Sequence, residues 1–234
     1  MKTKKQNMLR FFTSIIFIFF FLSKNNSQIV KDSIEIKNKY GIRLGIDISK
    51  QIRMLTEEYN GLSLYGDIKI KERLFIVGEL GRDTKKIINN NLNSEFSGNY
   101  IKAGINYNLY NNLPGLNNEI YIGFRLAVSK FESQIFQYNI YNKDQFWTQE
   151  SIDDNLIYKN LNANWFELII GINTELVNNF FTGISLRLNR MLNQKKPENF
   201  TNLYIPGFNK VTENNNFGTG ITYTLIYQIP IVKK

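Results

Sequence analysis

The feature that most constrains this chain is alternation with a period of two. In a strand, successive side chains point to opposite faces, so a period-two pattern sorts residues onto two surfaces. From Tyr40 to Ser49 the sorting is complete: Tyr40, Ile42, Leu44, Ile46 and Ile48 take one face, and Gly41, Arg43, Gly45, Asp47 and Ser49 the other. The pattern recurs seven more times. Its apolar faces include Leu62 to Ile70, Leu74 to Leu80, Ile101 to Leu109, Ile120 to Val128, Phe166 to Ile172, Ile184 to Leu188 and Phe217 to Ile229. Eight strands are an even number, which suits an antiparallel up-and-down β-barrel.

The connections alternate too. The odd ones, Gln51–Asn60, Arg82–Ser97, Glu132–Asn160 and Asn193–Asn215, are about 10, 16, 29 and 23 residues long. The even ones, Lys71–Arg73, Asn111–Asn118 and Val177–Asn179, are about 3, 8 and 3. An up-and-down barrel places all odd connections at one end. Outer-membrane barrels carry long extracellular loops and short periplasmic turns, and eight strands leave both termini periplasmic.

A soluble barrel alternates as well but turns its apolar face inward. Three features favour the inverted arrangement. Charges of both signs lie within the strands on the polar face: Arg43, Asp47, Asp67, Lys69, Glu79, Lys102, Arg125, Glu167 and Arg187. An eight-stranded lumen is just wide enough to be filled by side chains, so opposed charges are expected to form a paired network there. Strands of about 10 residues match an apolar band of about 25 Å. Aromatics near strand ends (Tyr40, Tyr100, Tyr110, Phe131, Trp165, Phe180, Phe181 and Phe217) are expected to form interfacial girdles.

The N-terminus reads as an address. Lys2, Lys4, Lys5 and Arg10 precede an apolar run of 12 residues, Phe11 to Leu22, interrupted by Thr13 and Ser14, with small and polar residues following from Ser23 to Gln28. That order is a secretory signal peptide, expected over residues 1–27 and cleaved. As an uncleaved helical anchor the run would span about 18 Å of the roughly 30 Å hydrocarbon core. Residues 28–39 form a periplasmic lead-in and 40–234 the barrel. The formal charge of +9 overstates the mature chain. The leader through Lys24 holds five of the 29 basic residues and none of the 20 acids, leaving 24 against 20, about +4. That balance does not argue for a nucleic-acid partner.

The chain has no His and no Cys. Catalysis by Ser-His-Asp or Cys-His is excluded, as are zinc or iron sites built on those ligands, and no cofactor is expected. Carboxylate pairs could still do acid–base work, with Asp47, Asp67, Glu79 and Glu167 as candidates; lumen ion pairing explains the same residues. The acids Glu150, Asp153 and Asp154 lack EF-hand spacing, so no metal site is assigned.

The long loops carry the interaction candidates: Phe136, Tyr138, Phe146 and Trp147 in the third, and Tyr204 and Phe208 in the fourth. Phe136, Tyr138 and Ile140 keep the parity of the lipid face, so the fifth strand is expected to run on as a protruding sheet. Phe146 and Trp147 follow. Such an edge can bind a partner by strand addition. The alternative is a stiff cap, with these aromatics packed on Tyr204, Ile205, Pro206 and Phe208 of the fourth loop.

The stretches Lys39 to Lys50, Asn199 to Lys210 and Asn216 to Gly218 resemble a family of uncharacterised small outer-membrane β-barrels of Gram-negative bacteria. Gly220, Tyr223, Leu225 and Tyr227 also resemble the C-terminal signal read by outer-membrane assembly machinery, although Lys234 ends the chain where an aromatic is usual. The resemblance spans the mature chain and implies the fold and a cell outer-membrane location; with no activity assigned to that family, it carries over no catalytic residue. The expected function is a non-enzymatic barrel with a plugged polar lumen. It would present loops 132–160 and 193–215 to an extracellular or envelope protein, or support envelope integrity. An accessory role in outer-membrane assembly or secretion, and a carboxylate-dependent enzyme, are the other readings.

Overall fold

The computed structural model describes residues 41–112, 116–139, 151–212 and 215–231. The signal segment, the lead-in, Tyr40, Ile140, Phe146, Trp147 and Glu150 lie outside the described residues.

Eight antiparallel strands close a ring. In chain order they are β1 (Gly41–Asp47), β2 (Tyr59–Lys71), β3 (Leu74–Asn89), β4 (Leu92–Asn108), β5 (Glu119–Asn139), β7 (Leu156–Val177), β8 (Phe180–Gln194) and β11 (Phe217–Pro230). Each pairs with the next, and β11 pairs back onto β1. β6 (Ser151–Ile152) adds to the far end of β5, and β9 (Tyr204–Ile205) with β10 (Asn209–Lys210) forms a small hairpin in the fourth long loop.

The register fixes the barrel's geometry. Stepping across the ring from Ile42 gives Ile68, Ile76, Ile105, Phe124, Leu168, Leu188 and Thr219. β1 itself places Ile42 opposite Ile229, ten residues further along β11 than Thr219. An offset of ten around eight strands sets a strand tilt of about 40° and an axial rise of about 2.5 Å per residue. A 25 Å apolar band then takes about 10 residues of each strand. The 21 residues of β5 and 22 of β7 are twice that length, so they run well past such a band.

The faces sort as the alternation requires. Ile76, Leu80, Ile101, Ile105, Ile122, Phe124, Leu126, Leu168, Ile170, Leu186 and Ile221 point out and are 40–68% exposed. Arg43, Asp67, Glu79, Lys102, Arg125, Glu167 and Arg187 point in and are at most 8% exposed.

Four local expectations need correction. The second long connection is strand almost throughout: β3 and β4 pair from Leu74↔Tyr107 up to Asn89↔Leu92 and leave only Asn90 and Asn91 in the turn. There the Asn89 side chain accepts from the Asn91 and Leu92 amides at 3.0 and 2.8 Å. Above the apolar rows, Arg82 to Lys86 and Asn93 to Glu95 put polar residues on both faces and Ile87 and Ile88 are adjacent, which erases the alternation.

The first connection contains a helix, α1 (Ser49–Thr56), too short to show a helical period. Two turns are marginal alone. Asp47 fixes its start, accepting from the Ser49 amide at 3.0 Å and its hydroxyl at 2.6 Å. Arg53 ties it down, donating to Asn209 at 3.0 Å and lying 4.1 Å over the Tyr59 ring.

The aromatic girdle is mostly internal. Tyr100, Phe131, Trp165 and Phe181 are 0–5% exposed, because each shares the parity of the lumen face. Phe217, Tyr107 and Tyr227 do point out. Finally, Tyr138 does not keep the outer parity. Asn93 pairs with Gln137 and Ser94 with Ile135, so Phe136 is an extra residue in a β-bulge. The bulge turns Tyr138 onto Phe200, with ring centroids 5.2 Å apart at 85°.

Candidate functional site: an ionic lumen under a loop-four plug

The lumen is filled in layers along the barrel axis. At the end bearing the short turns, Tyr65, Phe75, Val77, Phe181 and Ile226 form an apolar cluster. Both faces of β3 are apolar at this level, because Phe75 and Val77 belong to the interior. Within this layer Arg43 grips Asp67 with Nε at 2.7 Å and Nη2 at 2.9 Å, and donates Nη1 to Glu119 at 2.6 Å. Its guanidinium lies 4.4 Å over the Phe75 ring, and Tyr65 donates to Asp67.

The middle layer is ionic. Arg187 forks onto Glu79 at 2.8 and 3.0 Å and reaches Glu167 at 3.2 Å. Lys102 donates to Glu167 at 2.7 Å, and Trp165 donates its ring N–H to the same oxygen at 2.8 Å. Arg125 approaches Glu79 at 3.9 Å and donates to Asn106 at 2.7 Å and the Ile105 carbonyl at 2.8 Å.

The upper layer is closed by the fourth loop folding inward. Ile205, Phe208 and Val211 join Tyr100, Phe131, Leu161, Trp165 and Met191 in one buried cluster. The Trp165 and Phe208 rings meet edge to face, 5.6 Å apart. Asp83, fully buried on β3, is the anchor. It accepts from Lys50 Nζ at 2.7 Å, Tyr59 hydroxyl at 2.6 Å, Tyr204 hydroxyl at 3.1 Å and the Gly207 amide at 2.9 Å. Gly207 has φ +82°, a conformation that disfavours a side chain. Its Cβ position would also lie 2.5 Å from the Tyr100 ring. Lys102 completes the seam by donating to the Gly207 carbonyl at 3.0 Å.

The buried charges nearly balance. The cations Arg43, Lys50, Lys102, Arg125 and Arg187 face the acids Asp47, Asp67, Glu79, Asp83, Glu119 and Glu167. A buried charge without a partner is costly, and here the acids are held by cations or by several donors. The recesses left are small, about 50 Å³ beside Arg43 and Lys69 and 40 Å³ beside Lys102 and Arg187, room for a few waters.

Of the lumen charges expected from sequence, Arg43, Asp67, Glu79, Lys102, Arg125, Glu167 and Arg187 come together as described. Asp47 spends its carboxylate on Ser49 instead of a cation. Lys69 is half-buried at the short-turn mouth, where it lines the same recess as Arg43 and Glu119. Asp83, Lys50 and Glu119 were missed. Asp83 shares the parity of Glu79 and Gly81, the one signal that could have found it; Lys50 and Glu119 sit where the strand pattern starts or stops. Tyr204 and Phe208, expected among residues available to a partner, are 3% and 1% exposed and belong to the plug. Phe136 is half-buried on its bulge. No group of three or more His, Cys, Asp or Glu that could hold a metal ion occurs among the described residues.

Outside the strands, Glu57 at the end of α1 accepts from Lys85 at 2.7 Å and Arg53 at 3.3 Å. The Lys85 hydrogen bond, with Arg53 adding to it, holds this carboxyl below its ordinary value.

Similar solved structures include Neisserial surface protein A, with 10% identity over 81% of this chain and 96% of that one, at a TM-score of 0.44. Another is Ail, the attachment invasion locus protein of Yersinia pestis, with 8% identity over 81% and 97% at 0.40. Ail in complex with the heparin analogue sucrose octasulfate is similar at 0.39, with 8% identity over 81% and 98%. No curated protein matches the chain. The family model described as domain of unknown function DUF6048 matches residues 8–234, and the chain belongs to that family.

Proposed function

We propose that this chain is an integral outer-membrane barrel that does no chemistry and acts through the hairpins at its long-loop end. The observation that carries the reading is the inversion of its faces. Ile and Leu side chains cover the outside at 40–68% exposure, while paired carboxylates and guanidinium groups fill the inside. Water rewards the opposite arrangement. Burying apolar area is worth about 25 cal/mol per Å², whereas burying charges is costly. Lipid rewards this one, because its tails match the apolar face and a closed ring leaves no backbone edge unpaired.

The lumen is a structural plug. Asp67, Glu79 and Glu167 are committed to cations, so none is free to act as a general base, and the fourth loop blocks the outer mouth. The β3–β4 and β5–β7 hairpins project beyond the band and form the surface offered to an extracellular or envelope partner. The long-loop end faces outward by the loop asymmetry of outer-membrane barrels.

Trimming the two hairpin tips, residues 86–95 and 136–155, tests this. The trimmed barrel is expected to insert normally and to lose the partners that surface cross-linking captures from intact cells. Retention of the same partners would refute the hairpin role.

A further inference from the structure

The outer face of the barrel changes character along one line of cross-strand neighbours. Leu80, Ile101 and Val128 pair in register and are 54%, 49% and 51% exposed, forming an upper apolar row. Two residues further up, the aligned row reads Arg82, Asn99, Lys130 and Asn162. Immediately above lies an open groove of about 490 Å³ on the outside of the sheet, floored by Gly98 and lined by Arg82, Lys130, Lys159, Glu132 and Asn160 among others.

The groove is a product of irregular pairing. Phe131 pairs with Leu161, but Ser133 pairs with Tyr158, so Glu132 faces two residues, Lys159 and Asn160. Asn160 takes φ +57° to make the bulge. Leu161 points inward, and an unbroken strand would send Lys159 inward too; the extra residue delivers its ammonium to the outer face beside Lys130. Three exposed cations therefore gather around one acid, Glu132. None of the three has an ion-pair partner among the described residues. Arg82 and Lys130 are two strand steps apart, roughly 10 Å at ordinary strand spacing. Their side chains can close on one anion from either side.

We infer that this groove binds the phosphorylated headgroup of a glycolipid whose acyl chains lie on the Leu80, Ile101 and Val128 row. Arg82, Lys130 and Lys159 hold the phosphate, and Asn99, Asn160 and Asn162 meet sugar hydroxyls. The inference rests on the outer-membrane reading above, since the groove is at headgroup depth only if the apolar row is in lipid. Charge complementarity and the apolar row directly beneath the cations together favour a lipid over a soluble anion.

The test uses the full mature protein refolded into phosphatidylcholine vesicles. Retention of a phosphorylated disaccharide lipid is compared with that of the same lipid dephosphorylated. Wild type is expected to bind the phosphorylated form at least tenfold more tightly. The triple variant Arg82→Gln, Lys130→Gln, Lys159→Gln is expected to lose that preference. A control carrying the same charge change elsewhere, Lys71→Gln, Lys196→Gln, Lys210→Gln, is expected to keep it. Equal retention of the two lipids, or an unaffected triple variant, would overturn the inference. Displacement of the lipid by millimolar inorganic phosphate would reassign the site to a free anion and overturn the lipid assignment. Heat-modifiable migration is read in the same samples. A chain that fails to insert refutes the membrane reading, whereas one that inserts without discriminating between lipids refutes only the groove.

Discussion

Replacing Asp83 by alanine should release the plug without dissolving the barrel. The carboxylate is the sole ion-pair partner found for the buried Lys50 ammonium among the described residues and accepts from Tyr59, Tyr204 and the Gly207 amide as well. Deleting one member of a buried pair costs about 3–5 kcal/mol, and each neutral donor left dry adds about 1–3. The three neutral donors and Lys50 can recover water only if the fourth loop and α1 lift away. The opening free energy of that loop should therefore fall by at least the ion-pair share, about 3–5 kcal/mol, which is a roughly 10²–10⁴-fold faster exchange of the protected amides. Hydrogen exchange read by mass spectrometry on residues 203–211 is the assay. Residues 120–128 of β5 serve as internal control, since their pairs with β4 and β7 do not involve Asp83. Asp83→Asn keeps an acceptor and should fall between the two. Unchanged exchange in 203–211 would show that the plug is held otherwise. Equal acceleration in β5 would show that plug and wall unfold together, contrary to the layered account.

Three further outcomes follow from the same geometry. Arg187→Met removes the fork on Glu79 and the contact to Glu167, and should lower refolding stability in detergent by about 3–5 kcal/mol; pairing it with Glu79→Leu should recover part of that loss, and a cycle with no coupling would contradict the shared ion pair. Ile170→Arg, at a position 63% exposed in mid-band, should cost about 2–4 kcal/mol in lipid vesicles, whereas the same change on a water-facing surface would be near neutral. The carboxyl of Glu57 is depressed, so its tie to Lys85 and Arg53 is fully present at neutral pH and is lost as pH falls through the depressed value; a carbon-13 titration midpoint at or above that of a free glutamate would remove the tie.

The barrel wall was legible in the sequence because its determinant is local. Every residue from Ile120 to Ser129 takes its side by parity alone, and the structure keeps that assignment. Parity also held more than was read from it. Trp165 is two residues from Glu167 and so inward, yet its place near a strand end suggested a girdle. Inward glycines had a role that composition hides: Gly171 pairs with Tyr121, and a Cβ there would lie 2.5 Å from that ring, so the missing side chain is what lets the tyrosine lie against the neighbouring strand. What could not be read depends on contacts remote in sequence. Asp83 meets Tyr204 across 121 residues and Gly207 across 124, and nothing around either end announces the other. The bulges at Phe136 and at Lys159–Asn160 shift parity by one residue each, turning Tyr138 inward and Lys159 outward, and a single inserted residue leaves no compositional trace.

The central claim is that the apolar surface faces lipid and the charged surface faces the lumen. Fractionation with alkaline extraction, followed by gel migration with and without boiling, tests it most directly. The account predicts a chain that stays in the outer-membrane pellet and runs faster unboiled than boiled. A chain recovered in the soluble fraction, with one mobility under both conditions, would contradict it.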